Sequence, residues 1–167
     1  MSRRIVVIWF PHLVTDRLLR KQPELKELPF VLVITERGRR IVKAVNVLAK
    51  EKGIHENMVL ADCKALVPEL TVLDYDEAEP NKLLTALAEW CIRFSPCISI
   101  ELPNVLILDA SGCTHLWGGE ENYLNDIHKK FDAFGYMIRS AMADTIGTAW
   151  AVCHYGRFCL PVEYGTK

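Results

Sequence analysis

Cys113 and His115 are the two residues whose types and spacing come closest to a nucleophile and its base. A thiol needs a neighbouring base to become a reactive thiolate, and that base needs a third group to orient it. The sequence places no such third group, so His115 is interpreted as a structural histidine and residues 111–120 as a packed loop that enters a helix. The six cysteines form no Cys-x-x-Cys pair and the five histidines are scattered, which disfavours a zinc site.

A basic stretch, ERGRRIVKAVNVLAKEK at residues 36–52, is the second feature with chemical meaning. Residues 1–64 hold 13 Lys and Arg against seven Asp and Glu, whereas residues 65–167 hold seven against 14. Clustered cations can neutralise the phosphates of a nucleic acid, although a solvated protein face has the same composition. The candidate phosphate contacts are Arg37, Arg39, Arg40, Lys43 and Lys50.

The elements that must position these residues alternate along the chain. Apolar runs predict the first strand at 4–10, a hairpin of 29–35 and 40–45, and an antiparallel pair on either side of Pro103. Asn46 is predicted to cap a short helix that ends at Gly53. Further strands are predicted at 70–76 and 136–143, and further helices at 12–22, 60–67, 79–93, 119–134 and 144–155.

This order predicts an α+β fold in which helices pack on one face of a sheet, with an insertion at 29–70. At 167 residues, half of them apolar, the chain can form one domain with a small subdomain. No run approaches 18 apolar residues, so no transmembrane helix is predicted. Such a sheet resembles a nucleotidyltransferase palm and also many ferredoxin-like binding domains, so the fold alone does not decide the function.

Two segments carry a more specific resemblance. Residues 39–70 resemble the fingers, and residues 93–112 the palm hairpin, of Y-family translesion DNA polymerases. The resemblance implies a palm-like domain at 1–28 and 71–156, a fingers-like insertion at 29–70 and a C-terminal tail at 157–167. The thumb and little-finger domains of a polymerase are expected to be absent.

The metal-site positions of that family hold no ionisable residue here. The resemblance places the carboxylates of the first strand at Trp9 and Pro11, and those of the palm hairpin at Asn104 and Val105. Two-metal phosphoryl transfer needs converging carboxylates, so neither a metal nor a cofactor is expected. The family's triphosphate contacts are also altered. Its fingers tyrosine and arginine correspond to Val47 and Lys50, and residues 143–151 contain no lysine.

Three runs resemble the ImuB-type, catalytically inactive subgroup of this family. They are Trp-Phe-Pro at 9–11 with Thr-Asp-Arg-Leu at 15–18, the run at 108–120, and Ala-Asp-Thr-Ile-Gly-Thr-Ala-Trp-Ala at 143–151. The resemblance implies a non-catalytic adaptor in bacterial DNA repair and damage-induced (SOS) mutagenesis. It also implies weak, non-specific DNA binding and three protein partners: an ImuA-class protein, an error-prone C-family DNA polymerase and the sliding clamp.

Two other hypotheses stay open at this point. One is an active Y-family polymerase fragment whose acidic site is rearranged around Asp109, Glu101 and Asp16, although Asp109 is better explained as a turn residue that caps the following Ser-Gly segment. The other is an unrelated ferredoxin-like regulatory domain. A cytoplasmic location is expected because the cysteines are typical of free thiols, and the resemblance to DNA-binding proteins implies association with the nucleoid. No clamp-binding peptide of the Gln-x-x-Leu type is expected in this chain.

Overall fold

The computed structural model describes residues 3–156, so the predicted tail at 157–167 lies outside the described residues. The chain divides into two compact units. The first combines the chain up to Leu13 with the chain from Ala78 onward, and the second comprises Val14–Glu77. The second unit therefore extends beyond the predicted insertion at 29–70 at both ends.

The first unit contains a four-stranded sheet in the order β5-β6-β1-β7, with every neighbouring pair antiparallel. Its central strand is the apolar segment that begins the chain, and the predicted pair around Pro103 forms the adjoining hairpin. The strands are β1 (Ile5–Trp9), β5 (Ile98–Glu101), β6 (Val105–Asp109) and β7 (Arg139–Ala143).

Helices cover both faces of this sheet. Helices α4 (Glu79–Cys91) and α5 (Glu120–Ala133) pack on the face that carries Val6, Ile8 and Phe10. Helix α6 (Ile146–Tyr155) packs on the opposite face, which carries Val7 and Trp9. The α+β class is confirmed, with the difference that one helix lies on the second face. The physical reason is that β1 has apolar side chains on both sides, and both must be removed from water.

The second unit is built on a three-stranded sheet in the order β3-β2-β4. Strands β2 (Phe30–Glu36) and β3 (Arg39–Val45) form the predicted hairpin, whereas β4 (Thr71–Asp74) pairs with β2 in parallel. This pairing joins residues 71–77 to the second unit rather than to the palm-like domain. The helices of this part are α1 (Leu13–Lys21), α2 (Val47–Glu51) and α3 (Leu60–Leu66), with a 3-10 helix at Pro23–Glu27.

The helix ends follow from local hydrogen bonding. Asn46 Oδ1 accepts from the backbone N–H of Ala49 at 3.0 Å, which confirms the predicted N-cap of α2. Gly53 follows that helix with a φ of +89°, a left-handed conformation that suits glycine after a helix end. Thr145 caps α6 in the same way as Asn46 caps α2. No helix within residues 3–156 is long and apolar enough to cross a membrane.

Candidate functional site

A row of four residues crosses the end of the four-stranded sheet, on the face covered by α6. The strand register aligns Glu101 with Val105, Val105 with Trp9, and Trp9 with Arg139. Directly opposed residues of antiparallel strands point to the same face, with Cβ atoms about 4.5–5.5 Å apart. Trp9 and Val105, which the resemblance places at metal-ligand positions, are therefore immediate neighbours.

The Trp9 ring is held by aromatic and cationic neighbours. It stacks on His154, with ring centroids 4.4 Å apart, and His154 stacks in turn on Trp150 at 4.0 Å. The guanidinium carbon of Arg139 lies 6.0 Å from the centre of the Trp9 ring. Nδ1 of His154 is 2.9 Å from the carbonyl oxygen of Trp150, which requires a proton on that nitrogen. These contacts fill the space beside Trp9 with side chains.

The other three predicted metal-site positions are also occupied by structural contacts. Val105 is only 4% exposed and packs in the apolar cluster under α6. The carbonyl oxygen of Asn104 accepts a hydrogen bond from the backbone N–H of Phe10 at 2.9 Å, and Pro11 is half-buried in the turn that follows. Within the part of the chain that the structure describes, no group of three or more His, Cys, Asp or Glu side chains could hold a metal ion.

Glu101 and Asp109, two of the three acidic residues of the alternative hypothesis, do not converge. Glu101 is in the same row as Trp9, but it is exposed on the edge strand, two strands away. Asp109 is at the opposite end of β6, four residues or about 13 Å from Val105. Its carboxylate accepts from the N–H of Ser111 at 3.0 Å, and the hydrogen bonds of Ser111 lower the pKa of Asp109. Asp109 therefore caps the following turn, as predicted, and Asp16 lies on α1 in the second unit.

A buried arginine that the sequence did not single out joins two of the motif runs. Arg4 is 3% exposed, and its guanidinium forms a two-pronged ion pair with Glu120, at 2.7 and 2.5 Å. A third nitrogen of Arg4 donates to Asp144 at 2.8 Å. Glu120 closes the run at 108–120 and Asp144 begins the run at 143–151. No local pattern could have revealed this network, because its members are 116 and 140 residues apart.

The loop at 111–120 packs through Trp117, whereas His115 does not pack. Trp117 lies against Phe94 and Tyr123, with ring centroids 5.6 and 5.0 Å away. His115 is exposed on the 3-10 helix Thr114–Trp117, so the prediction of a structural histidine is wrong. A four-residue 3-10 helix has three residues per turn and buries one side, and here Trp117 is the side chain that packs inward.

Four of the five predicted phosphate-contact residues lie on the β2–β3 hairpin, and the fifth lies on α2. Arg37 and Gly38 form the two-residue turn of the β2–β3 hairpin, and Arg39 begins the return strand. Arg40 pairs with Asp74 at 3.3 Å, and Lys43 pairs with Glu36 at 2.7 Å. The hydrogen bond from Lys43 to Glu36 also raises the pKa of Lys43. The hairpin therefore carries two cations with carboxylate partners, Arg40 and Lys43, and two, Arg37 and Arg39, for which residues 3–156 supply no ion pair.

Lys50 lies on α2, which follows the far end of β3. Strand β3 runs from Arg39 to Val45, so its two ends are about 20 Å apart. The five cations thus do not form one cluster. The charge excess of the first 64 residues also vanishes in the fold, since residues 14–77 contain 11 Lys and Arg and 11 Asp and Glu.

No clamp-binding peptide of the Gln-x-x-Leu type is expected in this chain, although one segment has the bare spacing. Gln22-Pro23-Glu24-Leu25 has that spacing. Leu25 is only 6% exposed within the 3-10 helix, so its side chain packs into the protein rather than toward a partner. In this fold the segment is therefore a structural turn.

Comparison with known proteins identifies the family of this chain. The model of the impB/mucB/samB (IMS) family matches residues 8–154. The chain belongs to this family. Within it, the chain is 42% identical over 104 residues to the Protein ImuB of two Caulobacter vibrioides strains, a match that covers 62% of this chain and 23% of the relative. The hypothesis of an unrelated ferredoxin-like regulatory domain is therefore wrong.

Solved Y-family structures share the fold. The insertion ternary complex of Dbh DNA polymerase has a TM-score of 0.80 and 12% identity, and the structure of DinB from Sulfolobus solfataricus has 0.76 and 11%. These matches cover 96% and 95% of this chain but only 49% and 48% of those chains. The IMS chain thus has the fold of the Y-family palm and fingers region, and it spans about half the length of those structures.

Proposed function

We propose that this IMS-family chain is a non-catalytic adaptor in bacterial DNA repair and damage-induced mutagenesis. The observation that carries the proposal is the direct pairing of Trp9 with Val105 at the positions where carboxylates would bind the metal ions. Polymerisation needs two such ions to activate the attacking oxygen and to stabilise the leaving pyrophosphate. An indole ring stacked on His154 and a buried valine supply no oxygen ligand for either ion.

The residues around a bound triphosphate support the same proposal. The family's fingers tyrosine and arginine correspond to Val47 and Lys50, both of which are exposed on α2. A lysine ammonium can meet a phosphate as a point charge, but it cannot form the two-pronged contact of an arginine. Residues 143–151, where the family has a lysine, contain none. The losses at both sites are what a protein without selection for catalysis would accumulate.

The adaptor role requires partners. We propose weak, non-specific contact with DNA and, by the resemblance to ImuB-type proteins, assembly with an ImuA-class protein, an error-prone C-family DNA polymerase and the sliding clamp. We also propose a cytoplasmic, nucleoid-associated location. The buried Leu25 makes the Gln22–Leu25 segment unsuitable for clamp contact, so any clamp contact in a longer protein would use a different segment.

Primer extension on a primed DNA template, with Mg²⁺ or Mn²⁺ and all four nucleotides, tests the loss of catalysis. We expect no incorporation above the level without protein, because the row at the sheet end lacks carboxylates beside Trp9. The alternative of a rearranged site rests on Glu101, which shares that row. Extension that disappears in Glu101→Ala or Asp109→Ala, but persists in the exposed control Asp132→Ala, would establish the alternative and overturn the proposal.

A further inference from the structure

The tip of the β2–β3 hairpin has an unusual residue in its turn. Arg37 has a φ of +49° and Gly38 a φ of +76°, so both central residues of the turn are left-handed. A two-residue hairpin turn of this kind favours Asn, Asp or Gly, because a longer side chain is strained at positive φ. An arginine at this position is therefore unfavourable for folding, and backbone strain of this kind is concentrated at functional positions.

The charges near the tip divide into two groups. The carboxylates of Glu36 and Asp74 are engaged by Lys43 and Arg40. Arg37 and Arg39 are exposed, and among residues 3–156 no acidic side chain lies within ion-pair distance of either. The fold thus neutralises two of the hairpin cations internally and leaves two arginines at the tip with uncompensated charge.

These two arginines line one open depression of about 760 Å³. Its other lining residues are Glu36, which Lys43 already neutralises, and the half-buried Ile41. The register places Glu36 opposite Arg39 and Ile34 opposite Ile41, so these side chains belong to one face of the hairpin. The depression is therefore lined by two arginines, one carboxylate residue that has a lysine partner, and one apolar residue.

We propose that Arg37 and Arg39 form a phosphate clamp that binds the backbone of a DNA strand in this depression. The inference rests on the proposed function, which requires DNA contact, and deepens it by assigning that contact to two of the five basic residues. Guanidinium groups suit phosphate oxygens because two N–H groups can donate in parallel. Arg40 and Lys43 contribute less because each already has a carboxylate partner, and Lys50 is too distant to share the same phosphates.

Salt-dependent DNA binding by the intact chain tests the clamp. Fluorescence anisotropy with a labelled 20-nucleotide strand and with its duplex would be measured over a series of salt concentrations. Two phosphate contacts predict slopes of log affinity against log salt of about −1.4 for the single strand and about −1.8 for the duplex. In the double variant Arg37→Asn with Arg39→Gln, we expect the slope to approach zero on both probes.

The variants are chosen so that charge and folding are matched. Asparagine tolerates the left-handed turn, so the melting temperature of Arg37→Asn should stay the same or rise. Arg37→Lys keeps the charge and should retain most of the slope. The control Arg40→Gln with Lys43→Gln removes the same number of charges from the same hairpin, and we expect it to reduce the slope by less than half as much as the clamp variant.

The outcomes separate the clamp from the proposed function. If the unaltered chain shows no salt-dependent DNA binding, DNA contact in the proposed function fails and the clamp fails with it. If the unaltered chain binds but the clamp variant keeps its slope, the clamp is overturned while DNA contact stands. An equal loss in the Arg40→Gln, Lys43→Gln control would also overturn the clamp, because the effect would then follow from net charge.

Discussion

Trp9 and Val105 lie directly opposite each other on neighbouring antiparallel strands, on the sheet face that α6 covers. Val105 is buried and Trp9 is half-buried, at positions where the resemblance places the carboxylates of a polymerase. Burial of an apolar side chain of this size stabilises a fold by about 1.5–3 kcal/mol, whereas adjacent carboxylates repel one another until a cation binds. This end of the sheet therefore holds together without a metal ion.

Placing a carboxylate at either position should destabilise the protein. We expect Val105→Glu and Trp9→Asp each to lower the free energy of unfolding by about 2–4 kcal/mol, because each removes apolar packing and introduces a charge into a packed setting. Urea unfolding with and without Mg²⁺ measures the effect. Ser99→Asp, on the exposed edge strand, is the control and should change the free energy by less than about 0.5 kcal/mol.

Substitutions at the same positions also test whether this end of the sheet is packed and whether carboxylates alone would restore catalysis. Unchanged unfolding of Val105→Glu would mean that this part of the sheet is solvated, in conflict with the 4% exposure of Val105. The triple variant Trp9→Asp, Asn104→Asp, Val105→Glu should still show no polymerase activity, because the residues that the resemblance places at the triphosphate also differ from those of the family. Activity in the triple variant would show that the triphosphate site is intact despite those changes.

Substitution of Arg4 should lower the stability of the first unit more than most other substitutions would. Replacing Arg4 with Met leaves Glu120 and Asp144 without their shared cation, and a broken buried ion pair costs about 3–5 kcal/mol. The carboxylate side chains are 25% and 42% exposed, so water screens part of this loss and we expect about 2–3 kcal/mol. Chemical denaturation of the Arg4→Met variant measures it.

A double-mutant cycle separates the two partners of Arg4. The coupling of Arg4 with Glu120 should exceed its coupling with Asp144, because Glu120 binds through two oxygens and is the more buried carboxylate. The variants are Glu120→Gln and Asp144→Asn, each alone and with Arg4→Met. Equal couplings would mean that the two-pronged geometry adds nothing to the stability.

Local features of the fold could be predicted because they depend on a few neighbouring residues. The glycine turn of the hairpin, the Asn46 cap, the left-handed Gly53 and the Asp109 turn each follow from the conformational preferences of residues close in sequence. The choice of Asn104 and Val105 as metal-site positions came from the resemblance to the Y-family palm hairpin and stays a prediction. The register then placed Val105 beside Trp9.

Long-range features could not be predicted. The acidic residues of β4 and its surroundings return to the basic hairpin, as in the Arg40–Asp74 pair, so the charge asymmetry of the sequence is lost in the fold. The sheet face on which α6 packs could not be predicted either, because apolar residues occur on all sides of IGTAWAVCHY and do not form a single apolar face. Its position depends on the second apolar side of β1, which a helix pattern does not show.

Asn46 links the first turn of α2 to the start of β2, so its replacement should cost more than the loss of an ordinary cap. Its Oδ1 accepts from Ala49 and from Phe30, each at 3.0 Å, and its Nδ2 donates to the carbonyl oxygen of Leu28 at 2.8 Å. Because Asn46 is buried, Asn46→Ala leaves these groups unsatisfied, and we expect a loss of about 2–3 kcal/mol.

Asn46→Asp is the matched variant for this prediction. It keeps the acceptor for the two N–H groups but replaces the donor to Leu28 with a charged oxygen, so thermal unfolding should place it between the unaltered protein and Asn46→Ala. If Asn46→Asp were as unstable as Asn46→Ala, the donor to Leu28 rather than the cap would be the main contribution.

His128 should make the stability of the first unit depend on pH. It is half-buried on α5, with Nε2 2.8 Å from the hydroxyl oxygen of the fully buried Ser140. Burial lowers the pKa of His128 below its usual 6.5, because the charged ring loses its hydration. At a pH between the folded and the unfolded pKa of His128, the unfolded chain binds more protons than the folded one. The contribution of neutral His128 to the free energy of unfolding is therefore complete above about pH 6.5 and is lost as the pH falls through the folded pKa.

Urea unfolding of the unaltered protein and of His128→Gln, measured at intervals from pH 7.5 down to pH 5, checks the direction. We expect the difference in free energy of unfolding between the two proteins to shift steadily in favour of His128→Gln as the pH falls, because glutamine cannot take up the proton. Parallel profiles for the unaltered protein and His128→Gln would show that folding does not change the pKa of His128, in conflict with the prediction.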